Sequence, residues 1–291
     1  MKQRELLASY FTIAGNVNPM TRDIPSPFDF RARVEAAGRA GFRGLGLFHT
    51  DLAPVVARHG YAGMRTLLAD NGIRWVEVEC LFDWFADGHR RQASDANRRL
   101  LLDAAAELGA FHVKVASDFV GNCPRERMIE NFTGLCDDAA RAGTKVSLEM
   151  TPFSNTPDLE STLAVVEGAG RASGGLMLDL WHVTRGGISS AEIAALPKGC
   201  IFGVELDDAA AGPQGDLFDD TLNHRRFCGE GEFDVTGFIN ALDAAGFEGP
   251  YGIEVLSEEV RTLPLETVVQ RAFETTARAF DATALPFRRA C

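Results

Sequence analysis

The sequence predicts a single (β/α)8 barrel on three observations. Short apolar runs rich in branched residues alternate with longer amphipathic stretches from one end to the other, the order of a parallel sheet with crossover helices. Eight such runs can be counted, and 291 residues match the length of such a barrel. No shift in composition marks a second domain, so residues 1–291 read as one.

The elements follow in order. The opening MKQRELLASYFTIAGN has its apolar stretch interrupted by Ser9, Tyr10 and Thr12, with no small-residue cleavage site after it, so Leu7 to Ile13 reads as strand one and not as a signal peptide. Ser26-Pro27-Phe28-Asp29 reads as a helix start, with a hydroxyl cap, proline at the first position and an acid in the first turn. Strands two to four are Arg43 to Phe48, Arg74 to Cys80 and Phe111 to Ala116. Strands five to eight are Lys145 to Met150, Leu176 to Leu180, Ile201 to Leu206 and Tyr251 to Leu256. Gly41, Gly109 and Gly246 precede strands two, four and eight, where glycine takes the left-handed conformation that ends a helix. The patternless connection from Asp207 to Glu232 reads as a functional lid.

Composition excludes several classes. The 41 acidic against 29 basic residues give a net charge of −12, which argues against a nucleic-acid partner because phosphate neutralisation needs a basic surplus. A hydrophobic share of 46% with 24% charged residues is that of a globular chain with ample core. No window reaches the roughly 18 apolar residues of a membrane span. The six cysteines are dispersed without a C-x-x-C pair, which fits a reducing compartment, and the expectation is a cytoplasmic protein.

Chemistry is written at the strand ends. Barrel strands are buried on both faces, so a carboxylate near the C-terminal end of one must be paired or metal-bound to offset its desolvation. Strand five ends VSLEM with Glu149, strand six LMLDLWH with Asp179, strand seven FGVELDD with Glu205 and strand eight YGIEV with Glu254. Four acids at one rim repel one another unless a cation sits among them. A divalent metal is the simplest such cation. Lys114 and Glu79 also lie at strand ends, either as a proton donor and a hydroxyl-orienting group or as a mutual ion pair across the mouth. Arg225 and Arg226 precede a Gly-Glu-Gly turn, and one of them, assigned as Arg226, is placed to bind a substrate oxygen or phosphate. His49 ends strand two as a weaker candidate, and Trp75, Trp84 and Phe85 read as an apolar wall for a ligand or as core. No nucleotide-binding glycine signature follows a strand.

These residues resemble the xylose-isomerase-like TIM barrels annotated among sugar phosphate isomerases and epimerases, over nearly the whole chain. The resemblance rests on Glu149, on Asp179-Leu180-Trp181-His182 as a D-x-x-H pattern, on Cys228-Gly229-Glu230-Gly231-Glu232-Phe233-Asp234 as the family turn, and on Glu254. It implies that Glu149, Asp179 and Glu254 hold a divalent metal and that His182 is a substrate contact or outer ligand, and Glu205 is expected as the fourth ligand. Family members usually carry His-x-x-Asp after strand seven, whereas this chain has Glu205-Leu206-Asp207-Asp208. A fourth carboxylate makes the set all-oxygen and favours Mn²⁺ or Mg²⁺ over Zn²⁺. The histidine that some family dehydratases place two residues after the strand-five glutamate is Thr151 here.

The implied activity is that of a metal-dependent isomerase or epimerase on a sugar or related keto-polyol, with Glu149 and Glu254 exchanging a proton next to a carbonyl through an enediolate. Loss of a β-substituent from the same intermediate gives the alternative, a dehydratase or lyase. The expected partner is a small carbohydrate-like molecule, with no nucleic acid and no membrane. A homodimer is expected by analogy alone. The acidic charge and the six histidines count against the DNA-repair branch of the same superfamily, whose metal site is histidine-rich.

Overall fold

The computed structural model describes residues 4–21, 23–117 and 122–283. Eight parallel strands close into a barrel in sequence order. They are β1 (Leu6–Ala8), β2 (Gly44–Phe48), β3 (Trp75–Leu81), β4 (His112–Ala116), β5 (Val146–Glu149), β6 (Gly174–Asp179), β7 (Ile201–Leu206) and β8 (Tyr251–Ile253). The seam is β1 against β8, with Leu6 opposite Tyr251 and Ala8 opposite Ile253. The helices are α1 (Tyr10–Ile13), α2 (Phe30–Ala40), α3 (His49–Asp70), α4 (Gly88–Leu108), α5 (Arg125–Arg141) and α6 (Leu159–Ala169). They continue with α7 (Leu180–Arg185), α8 (Ser190–Ala194), α9 (Leu217–Asn223), α10 (Val235–Ala244) and α11 (Leu265–Asp281). No described helix is long and apolar enough to cross a membrane.

The eight expected strands are all present, and the three glycines end their helices with φ of 112°, 66° and 80°. Two local readings are corrected. Strand one stops at Ala8, and Tyr10–Ile13 turns into a helix. There Thr12 donates to Ile253 O and accepts from Val255 N, tying that turn to the end of β8. Ser26 does not cap α2. Its hydroxyl donates to Ala14 O and accepts from Phe28 N, and Asp29 caps the helix by accepting from Arg31 N.

The main core lies between the sheet and the helices, where outward strand residues such as Val78, Leu148 and Leu178 meet helix residues such as Phe132 and Leu101. A second, separate apolar cluster of Tyr10, Phe11, Phe48, Cys80, Ala116 and Leu256 sits beyond the C-terminal strand ends. Five cysteines are free thiols, and Cys291 lies outside the described residues.

The barrel interior is polar where the strand period of two brings charged residues inward. Glu77 and Glu79 of β3 face His112 and Lys114 of β4, and Glu205 of β7 meets Lys114 from across the barrel. A Cβ on Gly203 would lie 2.5 Å from His112 Cε1, so glycine on β7 is what admits the imidazole.

Candidate metal centre

Each site carboxylate is aimed by the end of its strand. Glu149 and Asp179 are the last residues of β5 and β6, Glu205 is the penultimate residue of β7, and Glu254 follows β8. All four are buried, and one oxygen of each lies within 4.8 Å of the others. Glu149 and Glu254 line a cavity of about 530 Å³ at the C-terminal end of the barrel together with Glu79, Lys114, His182 and Arg225, and Asp179 and Glu205 are fully buried against them.

Two protein cations sit among the acids. Lys114 Nζ lies 2.6 Å from Glu79 Oε2, 2.9 Å from Glu205 Oε1 and 3.0 Å from Glu254 Oε1. Arg225 Nη1 donates to Asp179 Oδ2 at 2.7 Å and to Asp207 Oδ2 at 2.9 Å, with Glu254 Oε2 at 3.5 Å. Lys114 and Arg225 thus pair with five carboxyl groups, and Glu149 beside them is a sixth, two positive charges against as many as six negative ones.

The excess shows in the protonation equilibria. Burial, with the charges of Glu254 and Asp179, pushes Glu149 up to about 8 against the pull of Lys114. Burial with Glu77 and Glu254 pushes Glu79 up to about 7. Glu205 and Asp207 are held well above the carboxylate range, again first by burial and then by Glu254 and Asp179 respectively. Burial and Arg225 hold His182 well below its ordinary value, so its ring is a neutral imidazole. Beneath them His112 draws Glu77 below its usual range in spite of burial.

The donor set fits a divalent cation. Glu205 gives Oε1 to Lys114, while its buried Oε2 has no hydrogen-bond partner. Asp179 accepts from His182 N and from Arg225, and each carboxylate oxygen keeps a second lone pair for a metal. Glu149 and Asp179 converge with His182 as well, which adds one nitrogen donor to the oxygens.

A family model described as Xylose isomerase-like TIM barrel matches residues 34–279. The chain belongs to the xylose isomerase-like TIM barrel family. Within it, a 3-dehydroshikimate dehydratase of Pseudomonas aeruginosa is 30% identical over 244 residues, covering 80% of this chain and 37% of that protein. An inosose isomerase of Bacillus subtilis is 27% identical over 154 residues, 52% of this chain and 54% of the relative. The chain therefore spans little more than a third of the dehydratase and about half of the isomerase. Among solved structures, the IolI protein with a zinc atom superposes at TM-score 0.83 and 20% identity, over 95% of this chain and 98% of that one.

The structure distributes the expected residues of this xylose isomerase-like barrel unevenly. Lys114 and Glu79 are the ion pair that the sequence offered as one of two readings. His182 lies in α7, with Nε2 3.6 Å from Glu149 Oε1 and a buried Nδ1 that has no partner. Arg226 is placed elsewhere: it is half-buried, its Nη1 is 3.4 Å from Glu230 O, and Arg225 takes the cavity position instead. His49 Nδ1 lies 3.1 Å from the Cys80 carbonyl. Trp75 bonds Glu5 at the opposite end of the barrel, while Trp84 and Phe85 are core, so the apolar wall consists of other rings, among them Phe11, Phe82, Phe153 and Phe218.

The connection from Asp207 to Glu232, read from the sequence as a lid, lines the cavity with Phe218, Thr221, Leu222 and Arg225 and is anchored at two points. Asp208 accepts backbone N–H groups from Ala209, Gly229, Gly231 and Phe233, all at 2.8–2.9 Å, which fixes the Gly-Glu-Gly turn. Asp220 of α9 accepts from Trp181 and Arg185 of α7, each at 2.9 Å. The sequence reading missed Asp207, Asp208 and the choice of Arg225. Strand parity carries the signal for the first, since Asp207 follows Glu205 by two and so continues its face.

Proposed function

We propose that the protein is a divalent-metal-dependent isomerase or epimerase of a sugar or related keto-polyol, acting by proton transfer next to the carbonyl. The observation that carries this reading is the convergence of Glu149, Asp179, Glu205 and Glu254 within 4.8 Å, with Glu149 and Glu254 lining one cavity. A divalent cation held by these four supplies a Lewis acid that polarises a carbonyl oxygen, and oxygen donors favour Mn²⁺ or Mg²⁺.

The chain's own groups supply the rest. Glu149 is the base: its carboxylate lines the cavity beside His182, and Lys114 does not bond it directly. Glu254, held from two sides by Lys114 and Arg225, is the acid partner whose carboxyl stays fixed while a proton is returned. The neutral His182 ring is placed to hydrogen-bond a substrate oxygen. Lys114 and Glu79 orient substrate hydroxyls through the same ion pair, and Arg225 assumes the anion-binding role first assigned to Arg226.

Return of the proton to the opposite face gives an epimer, and return to the neighbouring carbon gives an isomer. A second reading, elimination of a β-substituent, is favoured by the match to a dehydratase over 80% of this chain. Incubation with Mn²⁺ and hydroxylated ketones in deuterated water tests both. Return of a solvent proton places deuterium next to the carbonyl in an epimer or isomer, whereas elimination removes that proton with the β-substituent and leaves a new carbon–carbon double bond. Exchange that persists in Glu149→Gln and Glu254→Gln would refute the assignment of base and acid.

A further inference from the structure

We propose that the substrate is amphipathic: a hydroxylated ketone head on the carboxylate floor, joined to an aromatic or aliphatic arm that fills the upper cavity. This rests on the reading of the floor given above and adds the class of molecule that the cavity takes.

The floor and the mouth of the cavity differ in chemistry. Glu79, Lys114, Glu149, His182, Arg225 and Glu254 supply the polar floor, and the rest of the lining is mostly carbon apart from Thr151, Thr221 and the Asp83–Arg90 ion pair. On one wall Phe153 stands edge-on to His182, with centroids 6.3 Å apart, and edge-on to Phe218 at 5.7 Å, so aromatic rings run from the floor to the rim. On the other wall Phe11, Cys80, Ala116 and Leu256 form an apolar cluster separate from the main core, with Phe82 packed against it. That cluster lies at the substrate mouth and not under the helices that cover the rest of the apolar surface.

The exposure pattern agrees. Among the described residues the exposed large apolar side chains are Met20 at 59%, Ile24 at 56% and Phe218 at 36%. Met20 and Phe218 line this cavity, and Ile24 follows Met20 by four residues. Large apolar side chains gathered at one opening are the usual mark of a ligand that covers them. A free polyol presents hydroxyls in every direction and would strip water from them against these rings without replacing the hydrogen bonds. An apolar arm removes carbon surface from water on both sides. The volume of about 530 Å³ falls in the range that encloses drug-sized ligands, leaving room above a sugar-sized head.

Two probes share one chelating head and differ in the arm: acetohydroxamate and 4-phenylbutyrohydroxamate. Each is titrated calorimetrically into the Mn²⁺-loaded protein. The phenyl-bearing probe is expected to bind about 10- to 100-fold more tightly, the gain from burying one phenyl-sized group. Phe218→Ala is expected to narrow that ratio. Equal affinities, or a ratio that Phe218→Ala leaves unmoved, overturn the amphipathic substrate and leave the metal centre standing. Failure of both probes to bind the metal-loaded protein overturns the metal centre and this inference together.

Discussion

Arg225 binds Asp179 through a 2.7 Å hydrogen bond between groups no more than 1% exposed, and the same Nη1 reaches Asp207 at 2.9 Å. The guanidinium is therefore the counter-ion of two buried carboxylates and cannot be removed without stranding them. Arg225→Met should cost about 3–5 kcal/mol, the range for breaking a buried pair from one side. Arg226→Met, one residue on, loses only a long bond to Glu230 O from a half-buried side chain and should cost no more than about 1 kcal/mol. Urea unfolding of both variants in the presence of a chelator measures the contrast. Similar losses in the two would show that the residues had been assigned to the wrong sides of the chain.

Lys114 holds Glu79, Glu205 and Glu254 with one ammonium. Lys114→Met leaves these acids without that cation, so the metal-free variant should lose about 3–5 kcal/mol of stability. A divalent cation then compensates more charge than it does in the native chain. Added Mn²⁺ should accordingly raise the Tm of Lys114→Met by more than it raises the native Tm. Thermal scans with and without Mn²⁺ decide this, and a smaller gain in the variant would argue that Lys114 is needed to position the ligands.

The raised carboxyl affinities set a pH dependence of definite sign. Glu149 titrates at about 8 and Glu79 at about 7 in the folded chain, against about 4.3 for an unperturbed glutamate. Between those values the folded state holds protons that the unfolded state has released, so stability falls as pH rises. Their contribution is fully present below about pH 4 and is lost through about pH 8. Glu77, whose affinity is lowered, acts with the opposite sign and only at more acid pH. The Tm of chelator-treated protein should drop between about pH 5 and 9, and the Mn²⁺-loaded protein should show a flatter curve. A metal-free Tm that climbs across this interval contradicts the charge balance described here.

Asp208 gathers four backbone donors from both ends of the β7–α10 connection. Asp208→Ala leaves them without an acceptor, at about 1–3 kcal/mol for each one that stays buried. The expected result is a loss of at least about 2 kcal/mol together with faster proteolytic cleavage between residues 209 and 233. Asp208→Asn, which keeps one accepting oxygen, should fall between the two. Cleavage as slow as in the native chain would mean that the turn is held by its neighbours instead.

Most of the architecture was legible in the order of apolar runs, because burial on both faces forces a barrel strand to be apolar outward and its neighbours to cross over it. Strand one was over-extended for a related reason. Phe11 and Ile13 look like strand residues, yet their burial comes from apolar packing beyond the sheet. The strand-end acids were legible singly, since a carboxylate there needs a partner. Their partners were only partly so. Lys114 was visible as a buried lysine, but its choice between pairing and catalysis depends on distances to β7 and β8, which are 91 and 140 residues away in the chain. Arg225 and Arg226 are chemically identical and adjacent. What separates them is the backbone pairing of Arg226 with Asp208, which faces the two side chains apart.

The placement of Lys114 also bears on how the molecule comes together. Its ammonium arises from β4, in the first half of the chain, and two of its three acceptors from β7 and β8, in the second. Neither half of the chain contains the full set of charges. The ionic floor thus ties the two halves of the barrel together, Lys114 of the first to Glu205 and Glu254 of the second. A chain cut between β4 and β5 would leave Lys114 on one piece and Glu205 and Glu254 on the other, so those two ion pairs would return only when the pieces found each other again.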